Sequence, residues 1–124
     1  MPYRIELSQN QRYVDSHFSG HVTVEDVRDT NIEIVRLMDA SDTKLNLLTD
    51  LTDVKSQPNR ISEIWVSAKH VAQHKNLDWW LIVGINNPIL EFIVSMITKL
   101  AKVHYREFET REEAVAFLAE LEKA

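Results

Sequence analysis

Cysteine is absent from the 124 residues, and glycine occurs only at Gly20 and Gly84. The first absence excludes disulfides, thiolate zinc sites, iron–sulfur clusters and a cysteine nucleophile. The second excludes a phosphate cradle built from several glycines in one turn. It also excludes a serine nucleophile on a Gly-x-Ser-x-Gly elbow, which needs glycine at the strained turn. Basic clusters are lacking too. Fourteen Lys and Arg against nineteen Asp and Glu give a net charge of −5, whereas a nucleic-acid binder needs a basic stripe. Lys99, Lys102 and Arg106 come nearest to a basic cluster and read as a solvated helix face. No run is apolar enough to span a membrane, since the segment from Ile89 to Val103 carries Glu91, Lys99 and Lys102. The opening MPYRIEL has no basic stretch followed by an apolar one, so no signal peptide is expected and a cytoplasmic setting is the default.

What is present is an ordinary globular composition, 44% hydrophobic and 27% charged, which predicts one domain over residues 1–124. Tyr3 to Ser8 alternates apolar and polar residues, as a half-buried strand does. Asn10-Gln11 then turns the chain into a second strand, Tyr13 to Phe18, with Gly20 breaking the pattern. Thr23 offers an N-cap, Asp26 follows three residues on, and Val24 to Asp39 repeats apolar residues at helical spacing. Leu45 to Leu51 is a nearly continuous apolar strand, buried on both faces. Asp53 to Arg60 is polar, contains Pro58 and reads as a loop. A second helix runs from Ile61 to about His74 on the stripe Ile61, Ile64, Trp65, Ala68, Val71 and Ala72. Leu77 to Ile85 is the most hydrophobic strand, and its adjacent Trp79 and Trp80 point to opposite faces. Asn87 and Pro88 open a third helix reaching about Val103. Tyr105 to Phe108 is a fifth strand, and Thr110 with Glu113 forms a capping box for a last helix. The order ββαβαβαβα predicts an α/β fold. It has a five-stranded mixed, mostly parallel sheet, four helices, and the first strand as an antiparallel edge.

Few constellations carry chemistry. His70 and His74 are spaced i, i+4 opposite the apolar stripe of the second helix, but two ligands without a third do not make a metal centre. Asp50 and Asp53 lie near the end of a parallel strand, where paired carboxylates hold magnesium or exchange protons in some enzymes. Lacking a third acid or a positioned Lys, they read as structural, with Asp50 capping the loop or pairing with Lys55 or Arg60. No cofactor and no metal is expected.

The third helix is unusually apolar. On a helical wheel Phe92, Val103, Met96, Ile89, Leu100 and Ile93 occupy about 100°, enough for a core face. Ile97, Leu90, Ala101 and Val94 extend that arc by about another 100°. Leu90, Val94, Ile97 and Ala101 must therefore meet a neighbouring helix, a second copy of the chain, or an apolar ligand. Ile32 and Leu37 lie off the main stripe of the first helix in the same way.

The element order, the segment DLTDV (Asp50 to Val54) and the ending YREFETREEAVAFLAEL together resemble the STAS-like proteins. These are the bacterial anti-sigma-factor antagonists and the relatives grouped as STAS/SEC14 or SpoIIAA-like domains. DLTDV is similar to their Asp-Leu-Ser-x-Val, and Phe-x-Thr-x-Glu-Glu-Ala-x-x-Phe-Leu to their usual ending. The resemblance implies a SpoIIAA-like fold with strands stacked in chain order. It also implies a non-enzymatic regulatory or scaffold module that binds a protein partner and self-associates as a homodimer. In regulatory members an Asp-Ser-Ser-Gly segment holds a phosphorylatable serine. Here it falls on Pro58, Asn59, Arg60 and Ile61, where no serine stands, although Ser56 and Ser62 are near. The expected partner surface is Asp53, Lys55, Ser56, Asn59, Arg60 and Ser62. The alternative is a binder of a small apolar or lipid-like ligand along Leu90, Val94 and Ile97, as SEC14 implies. A third reading is an enzyme using Asp50 and Asp53.

Overall fold

The computed structural model describes residues 2–123. The elements are β1 (Tyr3–Leu7), β2 (Tyr13–His21), α1 (Val24–Asp39), β3 (Leu45–Ser56), α2 (Ile61–Ala72), β4 (Leu77–Val83), α3 (Pro88–Ala101), β5 (His104–Phe108) and α4 (Arg111–Lys123). This is the predicted order. The Ser8 hydroxyl accepts the Arg12 and Tyr13 amides at 3.1 Å, and Gln11 turns left-handed with φ +58°, which closes the β1–β2 hairpin. β1 pairs antiparallel with β2, every other pairing is parallel, and the sheet order is β1-β2-β3-β4-β5.

Helix starts follow the capping residues. Thr23 and Asp26 exchange side-chain-to-backbone hydrogen bonds at the head of α1. Asn87 accepts the Leu90 amide at 2.9 Å with Pro88 in the first turn of α3. Thr110 and Glu113 form the box that opens α4. α2 is the exception, because the side chain of its capping residue, Arg60, caps none of the helix's backbone amides. Lys102, with φ +56°, ends α3 after Ala101 rather than at Val103.

The sheet carries two unequal layers. α1, α2 and α3 cover one face, over a core that includes Val14, Phe18, Ile34, Met38, Leu47, Ile64, Val71, Trp80 and Ile93. α4 alone covers the other, over Leu48, Leu81 and Val83, with Ala114 and Leu118 as its buried side chains. Trp80 serves the first layer and Trp79 the second, where it meets Phe117 edge-on at 5.3 Å. Val115 of α4 is exposed.

The strands β2 and β3 run further than the sequence pattern suggests. Gly20 does not end β2. It takes φ +67°, which a residue without Cβ adopts at little cost, and pairing continues to His21 through two irregularities in register. β3 follows its partner. Asp53, Val54 and Ser56 pair with Ser19, Gly20 and His21, so the polar stretch read as a loop from Asp53 is strand as far as Ser56. The loop proper is 57–60. β4 pairs with β3 only as far as Asp50, which leaves the β2–β3 ribbon projecting beyond the rest of the sheet.

Gly84 marks where β4 leaves that ribbon. Its φ is +77°, and a Cβ there would lie 2.7 Å from the Thr52 Cα. Around Gly20 nothing lies within 4 Å of the same point. Gly84→Ala is therefore expected to cost at least about 2 kcal/mol, combining left-handed strain with displaced backbone, and Gly20→Ala about 1 kcal/mol from strain alone. Urea unfolding of the two variants gives the comparison, and equal losses would contradict it.

Candidate functional site

Three places at or near the carboxyl ends of the strands gather polar or uncovered side chains. The first is a charged network under the start of α4. Asp50, only 4% exposed, accepts the Thr52 amide at 3.0 Å and Arg111 Nη1 at 3.3 Å. The Arg111 guanidinium also holds Asp15 of β2, and His17 Nε2 lies 2.8 Å from Asp53. The partners of Asp50 are thus Thr52 and Arg111, not the Lys55 or Arg60 that proximity in the chain suggested. Burial pushes the Asp50 carboxyl up. The Thr52 hydroxyl and amide, His17 and Arg111 outweigh burial and hold it below the ordinary carboxylate value. The hydrogen bond to Asp15 leads the interactions that raise Arg111 in turn. Each carboxylate faces a cation or a ring nitrogen, an arrangement that clamps α4 to the sheet. Asp15, His17 and Arg111 carried no sequence signal, since their partners lie far away in the chain.

The second place is the start of α2. Asn59, Arg60 and Ser62 are exposed there, with Arg60 3.4 Å from Glu63. Asp53 and Lys55 flank inward-facing Val54, so they project from the side of β3 away from the three-helix layer. Ser56 is half-buried and its hydroxyl lies 2.7 Å from His21 Nδ1. The six residues expected to form one surface are therefore divided between the two sides of β3. Ser62 and Glu63 instead continue into an open groove of about 530 Å³ between α1 and α2, whose apolar floor includes Ile32 and Val66, 61% and 57% exposed. His70 lines the same groove. His74 does not share its face. It lies beyond the end of α2, with Nε2 2.7 Å from Asp39 Oδ1 and Nδ1 accepting the Asn76 amide.

The third place is α3, whose inward direction is rotated from the arc expected to face the core, although Ile93 of that arc is buried and Met96 and Val103 pack against the core. Leu90 and Ile97 are buried together with Ile93, and Val94 and Ala101 pack half-buried against the same core. Ile89, Phe92 and Leu100, assigned to the core face, are 51%, 58% and 55% exposed. The reason lies in the neighbours. α3 leans on α2 as well as on the sheet, so its buried direction centres near Leu90 and Ile97. The wheel showed the width of the apolar arc but not which part faced inward. Leu90, Val94 and Ile97 also line an internal chamber of about 110 Å³ between the helices and the sheet, which the loop residues Gln57 and Pro58 help to wall. Its polar edges are satisfied internally: Ser16 Oγ donates to the Leu48 carbonyl at 2.9 Å and Trp80 Nε1 to Thr49 Oγ1 at 2.8 Å. No helix among the described residues is long and apolar enough to cross a membrane.

A family model described as SpoIIAA-like matches residues 13–119. The fold is similar to the crystal structure of an uncharacterized protein from Shewanella loihica PV-4 with a SpoIIAA-like fold. The TM-score is 0.64 and the identity 19%, over 94% of this chain and 91% of that one. At that identity the likeness speaks for the fold alone. No curated protein matches the chain. The resemblance carried by DLTDV and the C-terminal pattern is thereby upheld for family and fold.

The clamp has a pH signature. The folded-state Asp50 lies below its unfolded value. Its stabilisation is therefore complete above an unfolded value of about 3.9 and is lost as pH falls through the folded one. Asp50→Asn is expected to lower stability at pH 7 by about 1–3 kcal/mol, with the gap to wild type closing as pH falls below the unfolded value of about 3.9. Urea midpoints measured from pH 7 to pH 2.5 test this, and a gap that does not change with pH would contradict the clamp.

Proposed function

The chain belongs to the SpoIIAA-like family, and from that premise we propose that it is a non-enzymatic regulatory module that docks a protein partner along the groove between α1 and α2. The observation that carries the reading is the continuity of that groove with the start of α2. Ile32 and Val66 offer apolar anchorage, Arg28, Ser62 and Glu63 supply a polar rim of both signs, and Arg60 pairs with Glu63 beside it. Apolar anchors within a polar rim suit an amphipathic helix of a partner protein. Ser62 supports a regulatory role, because it is exposed in the first turn of a helix whose backbone amides no capping side chain satisfies. A phosphate there would sit favourably at the helix N-terminus and would add charge to the groove rim. Ser56, held against His21, is the less accessible of the two serines. Lys55 and Asp53, on the other side of β3, lie outside this surface. The setting of the reading is cytoplasmic, and self-association is its second component.

A second reading, a small apolar ligand, is favoured by the chamber behind Leu90, Val94 and Ile97. Its volume, about 110 Å³, falls well below the roughly 300–1,000 Å³ typical of ligand pockets. A compact apolar molecule fits that size, whereas a lipid chain requires the helices to part.

Capture from a lysate of the source cells with wild-type protein, Val66→Glu and Ser62→Asp tests the first reading. The expected result is one protein held by wild type, reconstituted from purified components at fixed stoichiometry, and lost at least about tenfold in affinity with Val66→Glu. A partner retained equally by Val66→Glu would overturn the groove assignment. A small molecule released on denaturing the wild type, with no protein held, would favour the chamber.

A further inference from the structure

The amino ends of the strands hold a cavity that none of the readings above uses. It has a volume of about 820 Å³ and lies between the tip of the β1–β2 hairpin, the turn after α1, the start of β3 and the end of α4. That volume falls within the roughly 300–1,000 Å³ of ligand pockets. Asn46, only 9% exposed, lines it.

Asn46 mends an irregularity in the sheet. Leu45 pairs with Leu77 and Leu47 with Trp80, so β4 carries one residue more than β3 over that stretch. The Trp79 amide donates to Asn46 Oδ1 at 3.0 Å. That bond settles the orientation of the side-chain amide, because only its oxygen can accept an N–H. The amino group, Nδ2, is the other branch, and it has no partner among the described residues. Every described side-chain polar atom that is sealed from solvent does have a partner. Nδ2 therefore reaches open space, and the open space that Asn46 lines is this cavity. The other buried polar side chains differ. Ser16, Thr30 and Thr98 donate to backbone carbonyls, and Asp50 accepts from Thr52 and Arg111. A donor held this deep is costly unless something accepts from it.

Charges of both signs complete the lining. Arg12 and Lys44 enter no ion pair among the described residues, and neither do Asp42 and Asp78. The acids disfavour a polyanion, and the two cations disfavour a bare cation. A molecule that carries both a carboxylate and an ammonium group suits the two sets together. Half-buried Leu37 and Leu121 add apolar lining.

The geometry points to a binding site for a compact zwitterion, an α-amino acid with an apolar side chain, whose carboxylate accepts from Asn46 Nδ2. Lys44 and Arg12 favour that carboxylate, Asp42 and Asp78 the ammonium group, and Leu37 and Leu121 the side chain. None of these residues lines the groove between α1 and α2, so the site stands whether or not a partner docks there.

Heteronuclear NMR of the nitrogen-labelled full chain, titrated with L-leucine, tests it. Leucine is expected to shift the Asn46 side-chain amide signals together with the backbone amides of residues 41–46. Acetate and butylamine, each carrying one of the two charges, are expected to bind at least about tenfold more weakly. Asn46→Asp keeps an oxygen for the Trp79 amide and removes the donor, and Lys44→Glu reverses a charge at an exposed position. Each is expected to weaken leucine binding at least about tenfold. Should Asn46→Asp not fold, Lys44→Glu and the two half-molecules decide. Acetate binding as tightly as leucine would overturn the zwitterion. Unchanged affinity in either folded variant would overturn the placement of the carboxylate. Shifts that spare Asn46, or no shifts with leucine at all, would overturn the site.

Discussion

Right-handed crossovers between parallel strands leave little freedom once strands are laid down in chain order. Each crossover advances the sheet in the same direction, so each must place its helix on the same face. The order β1-β2-β3-β4-β5 therefore commits α1, α2 and α3 to one layer. Only α4, which follows the last strand and makes no crossover, can reach the other face. That constraint produces a thick core on one side and a single helix with two buried side chains on the other. A contact so small does not fix a helix firmly. Arg111, held between Asp15 and Asp50 at the first turn of α4, supplies the missing constraint. The charged network is thus a consequence of topology, and this is the physical reason that its carboxylates are committed to structure.

Much of this architecture could be read from the residues. The element order followed from periodicity, and three helix starts followed from Thr23, Asn87 and Thr110, whose side chains bind their own backbone locally. What could not be read depended on distance or on context. Gly20 looks like a terminator because glycine usually is one, yet here it supplies a positive φ that lets β2 and β3 continue together. Arg111 and Asp50 are 61 positions apart, and nothing in either segment announces the other. α3 shows a different limit. Its apolar arc was correctly seen as too wide for one contact, but the choice of inner face depended on how α3 leans on α2.

The surfaces left over divide by chemistry. The groove between α1 and α2 pairs exposed aliphatic side chains with a rim of both charges, as protein-docking surfaces do. The chamber beneath the helices is apolar, internally satisfied and small. Its wall and the start of α2 share the loop 57–60, so filling the one would be felt at the other through Gln57 and Pro58.

The strand order also governs how the chain reaches this state. Every pairing in the sheet joins strands that are consecutive in the sequence, so no strand must wait for one synthesised much later. Each parallel closure spans a single strand–helix unit rather than the whole chain, which bounds its loop-closure entropy. Each strand–helix unit can settle on the one before it as the chain emerges from the ribosome. The exception is the clamp. Arg111 must return to Asp15 across 96 positions, so docking α4 closes a far longer loop than any single strand–helix unit does.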